Sequence, residues 1–94
     1  MTVVWSARAV RHLQHLRAHI ARDRPEAAAR VGSAILAAVD LLSDHPGLGR
    51  PGRVIGTREL IVPGLPYLVP YRLRGRRIEI IAVFHGRQRW PDKF

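Results

Sequence analysis

The sequence has no cysteine, a single lysine (Lys93) and no long apolar run. Without cysteine there is neither a disulfide framework nor a thiolate metal site. A membrane-crossing helix needs about 18 or more apolar residues in a row, and no stretch approaches that. The N-terminus enters a strand-like segment at once, without the basic, apolar and small-residue regions of a secretory signal, so a cytoplasmic protein is expected. Acids are scarce: 7 Asp and Glu stand against 16 Lys and Arg, giving a formal charge of +9 and a pI of about 11.7. Such a balance points to an acidic counterpart, whether nucleic acid, an acidic protein or an anionic membrane surface.

What is present is enough apolar material, 47% of 94 residues, for one folded core and one domain spanning residues 1–94. The cations are unevenly spread. Residues 50–94 hold Arg50, Arg53, Arg58, Arg72, Arg74, Arg76, Arg77, Arg87, Arg89 and Lys93 against only Glu59, Glu79 and Asp92. The planar fork of arginine suits bidentate contact with phosphate or carboxylate.

Thr2–Trp5 is a short β-type run, and Ser6 follows as a helix N-cap. Ala9, Leu13, Leu16 and Ile20 recur at helical spacing, which predicts a helix over 7–21 with that stripe inward. Arg8, His12, His15, His19 and Arg22 fall on the opposite side. Histidines three and four apart can chelate zinc, but no carboxylate joins them and the arginines repel a cation. They read as a solvated basic face, and no metal is expected.

Asp23-Arg-Pro-Glu26 breaks and restarts the helix, with Pro25 in the first turn of a second helix running to Leu42. Val31, Ile35, Ala38, Val39 and Leu42 form its core stripe, widened by Leu36 and Leu41. So short a break predicts a helical hairpin. The glycine-rich segment 47–56 reads as a loop. Residues 57–62, 67–73 and 78–85 are β-rich and joined by turns at 63–66 and 74–77, which predicts a meander. Pro70 inside the middle strand implies a bulge or an unpaired edge. The order is β-α-α-β-β-β, an α+β domain with the helical hairpin on one face of a small, mainly antiparallel sheet.

Arg58, Arg72 and His85 alternate with apolar neighbours along the three strands. If all three lie on the face that the helices leave open, they converge, with Arg87 and Arg89 following in the tail. Arginines with a histidine could hold a phosphate and protonate a leaving oxygen, His85 being the natural acid. A strand-end histidine is also a common structural residue, and a base is missing: alternation turns Glu59 and Glu79 away from Arg58 and His85. The set is stronger as an anion-binding surface, with Arg50, Arg53, Arg87 and Trp90 around it, than as a nuclease site. Trp5 and Tyr67 read as core or rim residues. Trp90 either anchors the tail or stacks on a partner.

The order of the motifs resembles that of the RelE/ParE family of bacterial toxins. The resemblance is carried by Trp5-Ser6 opening a helix, Pro25-Glu-Ala-Ala28, His45-Pro-Gly-Leu-Gly-Arg50-Pro51, Gly56-Thr-Arg-Glu-Leu-Ile-Val62, Pro66-Tyr67, Tyr71-Arg72 and Ile78–His85 with Gly-Arg-Gln-Arg after it. It spans nearly the whole chain. It implies the toxin of a type II toxin–antitoxin, or plasmid stabilisation, pair that is neutralised by an antitoxin, and the +9 charge predicts that this antitoxin is acidic where it binds. It implies no cofactor, no small-molecule substrate and no membrane. The ParE-like branch poisons DNA gyrase; the RelE-like branch is a metal-independent, ribosome-dependent mRNA endonuclease. Under the second reading Arg58, Arg72, His85 and Arg89 would be catalytic; under the first they would bind the target. The lysines typical of the RelE branch are absent before Lys93, and the Gly-Thr-Arg-Glu-Leu and His-Gly-Arg-Gln-Arg segments are closer to ParE-like members.

Overall fold

Ser6 caps the first helix as its hydroxyl accepts from the Ala9 amide at 3.0 Å, and it also donates to the Ile81 carbonyl across the molecule at 3.0 Å. In the computed structural model, which describes residues 1–94, this helix is α1 (Ala7–Ala21). Pro25 opens α2 (Pro25–Asp40), where the missing amide of proline costs no hydrogen bond. Its end tightens into a 3₁₀ turn over Leu41–Ser43. No helix is long and apolar enough to cross a membrane.

The strands are β1 (Thr2–Trp5), β2 (Arg50–Pro51), β3 (Arg58–Ile61), β4 (Tyr67–Arg74), β5 (Arg77–Ile80) and β6 (Phe84–His85). They form one sheet in the order β1-β5-β4-β3-β2, with β6 also paired to β4. Three features refine the sequence expectation. β1 runs parallel to β5, so the sheet is mixed. The loop after α2 contains the two-residue β2, which pairs with β3 at Glu59 and Arg58. The last expected strand is split into β5 and β6.

Pro70 accounts for the split. Tyr71 pairs with Ile80 and Leu68 with Phe84, so two β4 residues face three, Ile81 to Val83. Proline has no amide to offer this stretch, but its carbonyl accepts from Ile81 at 2.9 Å. The extra residue is a β-bulge, and it turns the strand over. Ile78 and Ile80 point into the main core, as Val83 does after the bulge. Phe84 then falls on the opposite face with Ile81 and Ala82.

The main core lies between the helices and one sheet face. Ile35, Val39 and Leu42 of the α2 region meet Leu60, Val69, Tyr71, Ile78 and Ile80. Ala9 is the fully buried contact of α1, with Leu13 and Leu16 packed beside it. Leu36 and Leu41 were expected to widen this stripe. They face outward instead, at 43% and 52% exposure, since the stripe through Ile35, Ala38, Val39 and Leu42 already fills the interface.

The other sheet face is covered by the C-terminal tail. Phe84 contacts the rings of Trp90 and Phe94, at centroid distances of 4.7 and 6.2 Å. The guanidinium of Arg53 lies 3.7 Å from the Trp90 ring centre, and that of Arg8 lies 5.6 Å from Phe94. Trp90 therefore anchors the tail.

Candidate functional site

The strands do not bring the expected cluster together. Arg58 pairs with Tyr71 across the β3–β4 ladder and so lies on the helix-facing side of the sheet. Its guanidinium donates to the carbonyls of Gly49 and Gly47 at 2.8 and 3.1 Å, pinning the loop before β2. Arg72 points to the opposite face and donates two hydrogen bonds to Glu79 Oε1, at 3.0 and 2.7 Å. His85 shares the parity of Arg58 but sits opposite Tyr67, four residues further along β4 and on its other side. At about 3.3 Å per residue, that is about 13 Å along the strand. The expected convergence of Arg58, Arg72 and His85 therefore does not occur.

Glu59 organises a second group of predicted residues. It is 2% exposed, on the face turned away from the helices. Arg50 donates from Nε and Nη2 to Oε1, while Arg53 donates its amide and Nε to Oε2 at 2.8 and 3.1 Å. Burial alone would push this carboxyl up. The amide and guanidinium of Arg53, joined by Arg50, outweigh it and hold the group below its usual range. Arg50 and Arg53, read from sequence as target-binding, are thus the internal counter-ions of Glu59.

At the end of the last strand, His85 Nδ1 accepts from the Arg87 amide at 3.1 Å, which leaves Nε2 to carry the ring proton in the neutral form. The ring meets Tyr67 edge-on at 5.8 Å. Arg87 and Arg89 are exposed. The ion pairs of the chain engage Arg50, Arg53 and Arg72, and Arg87 and Arg89 form none. Neither carboxylate of the strands stands ready as a base, because Glu59 and Glu79 are both held by arginines. The assembled parts can bind an anion at the tail but do not form an acid–base pair.

His12 departs from the solvated face expected for it. It is half-buried against Phe84, at 5.3 Å between rings, and its Nδ1 accepts from the amide of bulge residue Val83 at 3.2 Å. Burial lowers its pKa, and the charges of Arg8, Arg11 and His15 add to that. The unfolded chain therefore takes up the proton more readily. The stability contributed by neutral His12 is complete above about pH 6.5 and is lost as pH falls toward the folded value. The thermal midpoint is expected to drop between pH 7.5 and 5.5 more steeply in the native chain than in His12→Ala; equal slopes would exclude this linkage.

Sequence reading missed a mainly apolar cleft of about 350 Å³ between α2 and β3, lined by Ala38, Leu41, Leu48, Leu60, Ile61 and Pro63, with the Arg50–Glu59 pair at its side. Leu41, Leu48 and Ile61 are each about half exposed. β2 covers the outer edge of β3 only as far as Glu59, so the backbone of Ile61 faces an open edge beside the cleft, while that of Leu60 pairs with β4. Two apolar residues too many on the helix stripe were the available signal.

A family model described as the ParE toxin of the type II toxin–antitoxin system parDE matches residues 3–90. Y4kP of Sinorhizobium fredii is 48% identical over 88 residues, spanning 94% of this chain and 91% of its own. Toxin RelE1 of Caulobacter vibrioides is 36% identical over 89 residues, covering 90% of this chain and 92% of that one. Among solved structures, a chain titled as the chromosomal ParDE system of P. aeruginosa matches with a TM-score of 0.83 and 28% identity, over 90% of this chain and 95% of that one. The chain thus belongs to the ParE toxin family of type II toxin–antitoxin systems, a membership that implies a cognate antitoxin as its partner.

Proposed function

We propose that this toxin arrests growth by binding its target rather than by cutting RNA, and that the target is DNA gyrase. One observation carries the reading: Arg58 and Arg72 leave opposite faces of the sheet and are both engaged within the fold. Phosphoryl transfer needs positioned charge and a base within hydrogen-bond reach, whereas binding needs only an exposed cationic surface. The antitoxin would lie in the α2–β3 cleft, adding a strand to the open edge of β3 or a helix over Leu41 and Leu48. An acidic segment there would offset the +9 charge.

Purified toxin is expected to block supercoiling by gyrase or trap its cleavage complex while a translation extract stays active. His85→Ala is expected to keep growth arrest within a few-fold of the native chain. The second reading, a ribosome-dependent mRNA endonuclease, draws on His85 standing beside the exposed Arg87 and Arg89. Cleavage of ribosome-bound message, lost in His85→Ala or Arg89→Ala, would replace the gyrase proposal with that one.

A further inference from the structure

Ile55 is 99% exposed, the most open large apolar residue of the chain. It sits on a braced turn. The Thr57 amide donates to the Val54 carbonyl at 3.2 Å, and the Thr57 hydroxyl donates to the same oxygen at 2.6 Å. Gly56, at φ +83°, takes the left-handed position that such a turn requires. Val54 and Thr57 on either side are buried. A turn of this kind favours proline or a polar residue where Ile55 stands, so local structure does not account for the side chain.

A shallow surface joins Ile55 to Leu73, Arg74 and Lys93. Leu73 is itself 45% exposed. Beside it the β4–β5 hairpin places Arg74 directly opposite Arg77, with Arg76 in the turn. Like charges directly opposite one another destabilise a ladder. No carboxylate pairs with them, since Glu79, two residues along the same face of the hairpin, is taken by Arg72.

We infer that this end of the sheet is the target-docking surface of the toxin, and that it fits a protein carrying an apolar socket rimmed by carboxylates. Ile55 is the knob and Arg74, Arg76 and Arg77 are the steering rim. Nucleic acid offers the arginines phosphate but offers a rigidly presented isoleucine no comparable socket, so a protein is the better match. A knob held by a braced turn also loses little freedom on binding. The surface is separate from the α2–β3 cleft. It leaves room for a target to meet the toxin at a place the antitoxin need not touch.

The inference rests on the toxin reading, so the test reads growth arrest first, which depends on no chosen target. Ile55→Asp is expected to weaken arrest on induction more than tenfold, Ile55→Leu to retain it, and Arg76→Ala with Arg77→Ala to weaken it severalfold. Ile55→Asp should keep the native thermal midpoint and still co-purify with the cognate antitoxin, because the side chain touches nothing. Binding of purified gyrase is measured on the same variants. If the native chain arrests growth and Ile55→Asp does so equally, the docking surface is wrong whatever the target. Loss of duplex or RNA binding in the arginine variant alone, with Ile55→Asp unaffected in arrest, would overturn it in favour of a nucleic-acid contact. If the native chain causes no arrest, the toxin reading fails first and this surface with it. Arrest that needs Ile55 without any gyrase binding would keep the surface and remove gyrase.

Discussion

Arg50→Ala combined with Arg53→Ala is expected to cost about 3–5 kcal/mol of folding stability, because it leaves a buried carboxylate without counter-ions. At this chain length each kcal/mol lowers the thermal midpoint by roughly 4–8 °C. The arginines are half exposed, at 52% and 44%, so the attraction alone would be screened; the loss comes from Glu59, which is 2% exposed and cannot turn to water. Glu59→Gln should cost less, about 1–3 kcal/mol, since it leaves two guanidiniums that water can solvate. The pH dependence separates this from lost packing. In the native chain the Glu59 pKa is lowered, so its stabilisation is present above about pH 4.5 and fades as pH falls through the folded value. Without the guanidiniums only the Arg53 amide still opposes the burial, so the double variant should lose less stability on acidification than the native chain. Chemical denaturation at pH 7 and pH 4 reads both slopes; an unchanged slope would show that Glu59 is not the source. Removing Arg53 also frees the Trp90 ring, so the tail should loosen in the same variant.

Tyr71→Ala is expected to cost about 3–5 kcal/mol, the range for deleting a fully buried aromatic ring. Tyr71 is 0% exposed at the centre of the main core. Its hydroxyl also holds the loop before β2, donating to the Pro46 carbonyl and accepting from the Gly49 amide, both at 2.8 Å. Tyr71→Phe keeps the ring but orphans both backbone groups, and should cost about 1–3 kcal/mol. The same contact explains Gly49, where a Cβ would come within 2.6 Å of the tyrosine ring. Hydrogen exchange at the Gly49 amide should rise in Tyr71→Phe well above the change in global stability. Equal changes would mean that the hydroxyl does not hold the loop locally.

The Ser6 cap, the Pro25 start and the two-helix, multi-strand order were legible because each rests on neighbours in sequence. Pro70 announced the bulge for the same reason. The faces were not legible. Whether Arg58 opposes Tyr71 or Arg72 is one residue of register, and one residue decides which side of the sheet a side chain leaves. The bulge then sent Phe84 under the tail, which alternation alone assigns to the other face. His12 looked solvent-facing on the helix wheel, and only the returning strand shows that it meets Val83. Arg50 and Arg53 read as binding residues because sequence counts charges without their partners. The exposed Leu36 and Leu41 were read as core because helical periodicity gives a stripe without its width.

β1 finds its place only against β5, Thr2 beside Arg77 and Trp5 beside Ile80. A segment that precedes both helices therefore waits for one that follows β4. A growing chain halted before Ile78 holds both helices but has no partner for β1, and the sheet stays open on that side. Pairings so distant in sequence form late. The edge of the sheet beside β5 is thus closed only when residues as distant in sequence as Thr2 and Arg77 have met, so β1 is the strand whose docking completes the fold.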